Sequence, residues 1–411
     1  MPDYDLYELP NGIRVLHKQV PHTKIAHCGF LLDIGSRDEK PAQQGLAHFW
    51  EHMAFKGTEK RKSFHILNRL ETVGGELNAY TTKEKICFYA SLLSTHFERA
   101  FELLTDLTFN SVFPEKEIEK ERGVILEEMS MYQDAPEDAI VDDFDGVVFG
   151  AHALGHNILG TRESVSSFQQ SDFWQFLAEN IRTDRLVFSS VSNLPFKDVQ
   201  RLADKFLRPL PARLGARPRA AFGSYQRLDR LERRPITQAH CILGGPAYAL
   251  HDERRMPFLV LNNLLGGPGM NSRLNLAVRE KYGLVYTIDA TYAPYTDTGL
   301  FGIYFGTEKK QVERTLSLVR KELKRLREQA LGTAQLHTAK EQLMGQLAMA
   351  EESNGGLMQL LGKSTLDIGR VESINEIFDR VRATTAAELL ELANDVLRDD
   401  NLSVLQYVPE A

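Results

Sequence analysis

The sequence predicts an α+β protein made of two similar domains, each an antiparallel sheet with helices packed on one face. Three observations lead there. At 411 residues the chain exceeds what one hydrophobic core usually organises. The stretch "RPLPARLGARPRAAFG" is rich in Pro, Arg, Ala and Gly and has no clean periodicity, so a linker is expected at 208–224, between domains 1–207 and 225–411. The flanking halves also look alike. "IAHCGFLLDIGSRDEKP" at Ile25 parallels "QAHCILGGPAYALHDERRMP" at Gln238, and "YASLLSTHFERAFELL" at Tyr89 parallels "YFGTEKKQVERTLSLV" at Tyr304. In each half a strand-like run enters a long charged helix, the mark of a duplicated unit.

Taken in order, "IRVLHKQV" and "KIAHCGFLLDIG" read as strands from their β-branched and aromatic content. "LAHFWEHMAF" reads as a helix, with Gly57 suited to its C-terminal end. "SFHILNRLETVG" reads as a second helix with Ser63 as N-cap and Gly74–Gly75 as its stop. "ELNAYTTKEKICFYASLL" alternates polar and apolar residues and fits a strand pair or one long strand. "THFERAFELLTDLTFN" and "FPEKEIEKERGVILEEMSMYQ" are helical, the second with Pro114 at its start, where a missing N–H costs nothing. Antiparallel strands interleaved with such helices define the α+β class.

Composition excludes several function classes. Hydrophobic residues make up 43% and charged residues 26%, ordinary for a globular protein. A net charge of −7 gives no basic surplus to neutralise phosphates, so nucleic acid is not expected as a partner. No apolar run reaches the length of a membrane span, so no membrane partner is expected. The N-terminal "MPDYDLYELPNGIRV" lacks a basic n-region and an apolar h-region, and Cys28, Cys87 and Cys241 lie far apart with no CxxC pair. These features fit reduced core cysteines in a cytoplasmic protein.

The segment "GLAHFWEHMAFKGT" places His48 and His52 four residues apart, with Glu51 between them, in otherwise apolar surroundings. On a helix both imidazoles share one face, a turn apart, which suits a zinc ion. Glu51 lies beside that pair, where a carboxylate can take a proton from a metal-bound water. The bland alternative is a core helix with satisfied histidines and a surface glutamate. A third ligand is expected from the helix after Pro114, where Glu121, Ile125, Glu128 and Tyr132 form one narrow stripe bordered by Val124. Carboxylates on a stripe shared with Ile and Tyr carry a burial cost that a divalent cation would relieve. Glu127 points about 100° away from Glu128 and is the weaker candidate. Glu121, two turns before Glu128, is placed to hold the far nitrogen of a ligand histidine. A solvated acidic face is the alternative for this run.

HxxEH inverts the thermolysin-type HExxH motif. Together with "GGELNAYTTKEKICFYA" and "EKERGVILEEM", it makes the chain resemble the pitrilysin, insulin-degrading enzyme and mitochondrial processing peptidase family. The resemblance runs over nearly the whole length and is nearest to the short bacterial zinc peptidases. It implies His48, His52 and Glu128 as metal ligands for one Zn2+ per chain, Glu51 as general base, and Glu121 as the partner of a ligand histidine. It further implies that peptide adds as an extended strand beside Asn78, Ala79, Tyr80 and Thr81, where an exposed edge offers unpaired N–H and C=O groups. An ordinary covered strand is the alternative. In the second half, Arg279 and Tyr286 of "SRLNLAVREKYGLVYTIDA" match an arginine–tyrosine pair that meets the substrate carbonyl in active members. Without the resemblance, this stretch reads as an amphipathic helix followed by a core-facing tyrosine. "GGPGMNS" has neither phosphate-loop spacing and reads as a turn, and His240, His251 and His337 lack ligand spacing.

The expected activity is therefore zinc-dependent endopeptidase action on unfolded or presequence-like peptides inside a homodimeric chamber. A non-catalytic partner subunit of a peptidase-like complex is the alternative. Such subunits typically lose the metal motif or the arginine–tyrosine pair, and this chain keeps both. A zinc hydrolase of non-peptide amides or esters is a third reading, with nothing specific in its favour.

Overall fold

A computed structural model describes residues 4–216 and 219–410. The chain folds into two compact units. The first comprises Met1–Met129, His156–Ala220 and Met349–Ser373, and the second Ser130–Gly155, Ala221–Ala348 and Ile374–Ala411. They are not the two contiguous stretches that a single cut at 208–224 would produce, because each includes a segment from beyond that cut.

The first unit is built on a sheet of strands β1 (Asp5–Glu8), β2 (Arg14–Gln19), β3 (Ile25–Leu32), β4 (Glu76–Thr81), β5 (Ile86–Leu93) and β6 (Leu186–Ser192), in the order β1-β2-β6-β3-β5-β4. The second carries β7 (Asp229–Arg234), β8 (Ala239–Ala247), β9 (Val285–Pro294), β10 (Gly299–Thr307) and β11 (Ser403–Pro409), in the order β7-β11-β8-β10-β9. Position by position, β2-β6-β3-β5-β4 matches β7-β11-β8-β10-β9. Each sheet has one parallel pair at the matching place, β2 with β6 and β7 with β11, among otherwise antiparallel neighbours. The duplication seen in the sequence is thus a duplication of topology, with the Ile25 and Gln238 segments forming β3 and β8.

Helices α1 (Leu46–Ala54), α2 (Ser63–Glu71), α3 (Phe97–Phe109) and α4 (Glu115–Asp134) follow in the first half, and α5 (Pro136–Phe149) comes next. Alternate residues of the first sheet, among them Val15, Cys28, Phe30, Phe88 and Phe188, face the core shared with α1 and α3. The intervening residues Leu16, Leu31, Cys87, Val187 and Val191 pack on Leu357, Met358 and Leu361 of the helix Asn354–Ile368. The expectation of helices on one face is therefore incomplete: a helix from the far end of the sequence covers the second. At Gly362 an added Cβ would lie 2.4 Å from Leu31 Cδ1, so the helix backbone rests directly on the side chains of the sheet. In the second unit α5 plays the same part, setting Ile140, Phe144 and Val148 against Ile242, Leu405 and Tyr407. Cover on both faces explains why β6 is buried at every position, its serines included.

Local details follow from backbone chemistry. The "ELNAYTTKEKICFYASLL" stretch is a strand pair, β4 and β5, closed by Thr82–Lys85, where Thr82 N–H donates to Lys85 O at 2.7 Å. Gly74, at φ 72°, ends the turn after α2. Lys62, not Ser63, precedes α2, and no side chain caps it. Helix α1 closes at Phe55, and Gly57 instead bridges to Lys62. The three cysteines are buried and free. No described helix is long and apolar enough to cross a membrane.

Candidate active site

Helix α1 is short, and its setting explains its polar stripe. Gly45 starts it at φ 93°, where an added Cβ would lie 2.5 Å from Leu159 O. The Glu39 carboxylate accepts from the N–H groups of Gly45 (2.9 Å) and Ala47 (2.7 Å), satisfying donors that a helix start leaves free. Leu46, Phe49, Trp50 and Met53 are fully buried, Phe49 against Phe168 and Phe173, and Trp50 against Phe88 and Phe176. With most of its circumference in the core, α1 has one narrow side left, occupied by His48, Glu51 and His52 at i, i+3 and i+4.

Helix α4 supplies the opposing surface. Ile118, Glu121, Ile125 and Met129 are its buried residues, a helical stripe that includes a carboxylate at only 7% exposure. Glu128 is half-buried, whereas Glu127 is exposed. The Pro114 carbonyl receives the N–H groups of Glu117 and Ile118 at the helix start. Before it, buried Phe113 has φ 49°, a conformation rare outside glycine, and is held by stacking on Phe173 at 4.9 Å.

Between α1 and α4, one ligand atom from each of His48, His52 and Glu128 lies within 4.8 Å of the others, the one such group among the described residues. Glu128 Oε2 stands 3.8 Å from His48 Nε2 and 3.6 Å from His52 Nε2. A tetrahedral zinc with bonds of about 2.1 Å requires ligand–ligand edges of about 3.4 Å, so two nitrogens and an oxygen at these separations fit the ion with small adjustment. Both imidazoles present Nε2. The other nitrogen of His52, Nδ1, lies 3.3 Å from Glu121 Oε2, and Lys56 Nζ donates to Glu121 Oε1 at 2.7 Å. A carboxylate on the far nitrogen fixes tautomer and ring orientation in histidine metal sites. His48 Nδ1 is buried with no hydrogen-bond partner.

Electrostatics favour electron-pair donation. Burial, and secondarily the neighbouring His52, push the His48 pKa down to about 3, so the ring stays neutral. Burial alone would raise the Glu121 pKa, but hydrogen bonds from His52 and Lys56 outweigh it and hold the carboxyl below its ordinary value. Burial raises the Glu51 pKa, opposed by the Thr81 hydrogen bond and His52 and reinforced by Glu128. A basicity above the ordinary carboxylate value suits a group that must accept a proton near neutrality.

The Asn78–Thr81 stretch forms the end of β4, the edge strand of its sheet, paired only with β5. Asn78 is exposed, while Ala79 and Tyr80 are half-buried, with Tyr80 packed on Tyr89 at 6.2 Å. Thr81 turns its hydroxyl to Glu51, donating to Oε2 at 2.6 Å. Sequence reasoning placed Thr81 on the strand but missed this bond, and it missed Lys56 altogether. The signal for Lys56 was available, four residues past His52.

Arg279 and Tyr286 belong to the second unit. Arg279 lies in a π-helical turn, Asn275–Glu280, a geometry that recurs at functional sites. Gly283, at φ 60°, ends this segment, and Tyr286 follows at the start of β9, the edge strand of its own sheet. Tyr286 is 84% exposed, not core-facing, and the Arg279 guanidinium sits 5.9 Å from its ring. His240 is structural, bonded through Nδ1 to Tyr304 OH at 2.8 Å; His251 and His337 are exposed.

The chain is similar to known proteins along nearly its whole length. Residues 14–162 match the family described as "Insulinase (Peptidase family M16)", and residues 167–343 match "Peptidase M16 inactive domain". A Streptomyces coelicolor protein named an uncharacterized zinc protease is 37% identical over 409 residues, covering 97% of this chain and 88% of the relative. A Bacillus subtilis protein, the uncharacterized zinc protease YmxG, is 33% identical over 408 residues, covering 96% of each. Among solved structures, a peptidase M16 inactive domain from Pseudomonas fluorescens superposes with a TM-score of 0.92 at 19% identity, covering 100% of this chain and 99% of that one. A protease from Helicobacter pylori gives 0.90 at 18% identity, covering 100% of both chains. At these identities the two structures speak for the fold alone.

Proposed function

The chain belongs to peptidase family M16, and from that premise we propose that it is a zinc-dependent endopeptidase acting on unfolded peptides. The observation that carries this reading is the convergence of His48, His52 and Glu128 from two helices, with Glu51 on the same stripe as the histidines. His48 Nε2, His52 Nε2 and Glu128 Oε2 would hold one zinc per chain. Bound there, the ion would polarise the scissile carbonyl and make its water acidic. Glu51 takes a proton from the attacking water as the water oxygen bonds to the carbonyl carbon. It then returns that proton to the amine as the C–N bond breaks. Glu121, itself held by Lys56, keeps His52 oriented.

An extended peptide pairs with the free edge of β4, at Asn78–Thr81, through main-chain hydrogen bonds that do not depend on sequence. The exposed Tyr286 hydroxyl donates to the oxyanion, and Arg279 anchors nearby substrate backbone. The active unit in this reading is a homodimer enclosing a chamber, with Arg279 and Tyr286 serving the zinc site of the second copy. Closed two-fold pairing is the commonest arrangement of identical chains. The test is to incubate metal-replete protein with a mixed set of unfolded peptides, with and without chelator, and to map the cuts. Chelator-sensitive internal cleavage is expected. Absence of cleavage in metal-replete protein would favour the non-catalytic subunit instead.

A further inference from the structure

The Thr81–Glu51 hydrogen bond joins two parts of the site that the chemistry treats separately. Glu51 belongs to α1 and handles a proton; Thr81 belongs to β4, the strand proposed to hold substrate. At 2.6 Å the bond falls within the short range of a hydroxyl donating to a charged carboxylate.

Two features fix the donor. Threonine is stiff at χ1, so its hydroxyl direction follows the backbone. That backbone is held on both sides. Thr81 pairs with Ile86 in the ladder, and the next residue closes the turn twice, Thr82 Oγ1 donating to Lys85 O at 3.0 Å and accepting from Lys85 N at 2.9 Å. The acceptor, by contrast, sits at the end of a long, flexible side chain. A carboxylate has two oxygens, and here Oε2 is occupied.

We propose that Thr81 is a positioning residue for Glu51: its hydroxyl pins Oε2 and leaves Oε1 as the oxygen that takes the water proton. The inference rests on the general-base reading of Glu51. It makes the strand that receives the peptide the same strand that aims the base, so register of the substrate and direction of the base share one support. Thr81 itself touches no reacting atom.

The test uses the full-length, zinc-loaded chain and a fluorogenic unfolded peptide, comparing Thr81→Ser and Thr81→Val. Misplacing a catalytic group by about 1 Å can cost about 100-fold. Thr81→Val should therefore lower kcat by about 10- to 100-fold, with KM within about 3-fold and zinc content unchanged. Thr81→Ser, which keeps the hydroxyl, should retain at least about half of kcat. The proposal is overturned if Thr81→Val keeps more than half of kcat, if Thr81→Ser falls as far as Thr81→Val, if only KM changes, or if zinc is lost. Thr81→Ala provides the same comparison should the valine variant not fold. Glu51→Gln is assayed alongside: if it keeps more than about a tenth of the parent's rate, the general-base reading fails, whatever Thr81 does.

Discussion

Glu51 combines burial, which raises its pKa, with a hydroxyl donor that steadies one of its oxygens. Replacement by Gln keeps the size and the Thr81 contact but cannot accept a proton near neutrality. Glu51→Gln should retain zinc and lose about 100- to 10,000-fold in kcat, the usual span of general-base catalysis. Zinc analysis paired with the peptide assay checks this, and a residual rate above about a tenth of the parent's would remove Glu51 from the role. A different residue, His17, links stability to pH. His17 is fully buried, with Nδ1 on Ser190 Oγ at 2.9 Å and Nε2 on Leu194 O at 2.8 Å, and burial lowers its pKa below the model-peptide value of 6.5. The unfolded chain therefore binds a proton at this histidine more readily than the native protein does. The stability it contributes is fully present above pH 6.5 and is lost as pH falls below it, with a limiting slope of about 1.4 kcal/mol per pH unit. Urea unfolding at pH 7.5 and pH 5.5 should show a smaller pH dependence in His17→Gln than in the parent.

At the scale of elements, the site depends on two helices meeting with their polar stripes facing. Helix α1 brings His48, Glu51 and His52 because its other residues are committed to the core; α4 brings Glu121 and Glu128 at a two-turn spacing. The contact is completed by Lys56, just past the end of α1, which neutralises the buried Glu121. Without that cation, Glu121 would be less able to remain a charged acceptor for His52. Removing groups that orient a ligand typically costs 10- to 100-fold in metal affinity. Lys56→Met should accordingly weaken zinc binding by about 10-fold in a chelator competition, with Lys56→Arg nearer the parent. Unchanged zinc affinity in the methionine variant would show that Glu121 acts without it. Elsewhere, Leu361 on the helix Asn354–Ile368 is 3% exposed against β-sheet residues of the first unit. Leu361→Ala should destabilise the protein by about 2–5 kcal/mol, measurable by denaturant unfolding.

Each compact unit of the whole molecule is assembled from both halves of the chain. Residues 1–224 alone would leave Leu16, Leu31, Cys87, Val187 and Val191 without the helix that covers them. An apolar sheet face of this kind is an aggregation liability. A fragment of residues 1–224 is thus expected to be insoluble or to bind a hydrophobic dye, and co-expression with residues 225–411 to restore a soluble complex. A well-behaved isolated fragment would contradict this. The proposed homodimer has its own measurement. If Arg279 and Tyr286 serve the second copy, mixing inactive Glu51→Gln and Tyr286→Phe chains should recover activity, because one site of the mixed dimer is complete. No recovery would remove the trans placement, and activity in a monomer at every concentration would remove the chamber.

The sequence by itself determined the parts of the site that follow from helix periodicity. His48, Glu51 and His52 share a face because they are three and four residues apart, and Glu121 and Glu128 share a stripe because they are seven apart. The extended character of Glu76–Leu93 and the repetition of β3 and β5 in β8 and β10 were also legible, since alternation and duplication are written along the chain, while the choice of a strand pair over one long strand was left to the structure. What only the tertiary structure decided were meetings between distant residues. Thr81 on β4 reaches Glu51 on α1, Lys56 just past α1 reaches Glu121 on α4, and the helix Asn354–Ile368 packs on the first sheet. Local patterns set which face of an element is apolar or polar. They do not say which other face it meets, because that choice rests on packing and electrostatic complementarity among many elements at once, and no short window of sequence contains it.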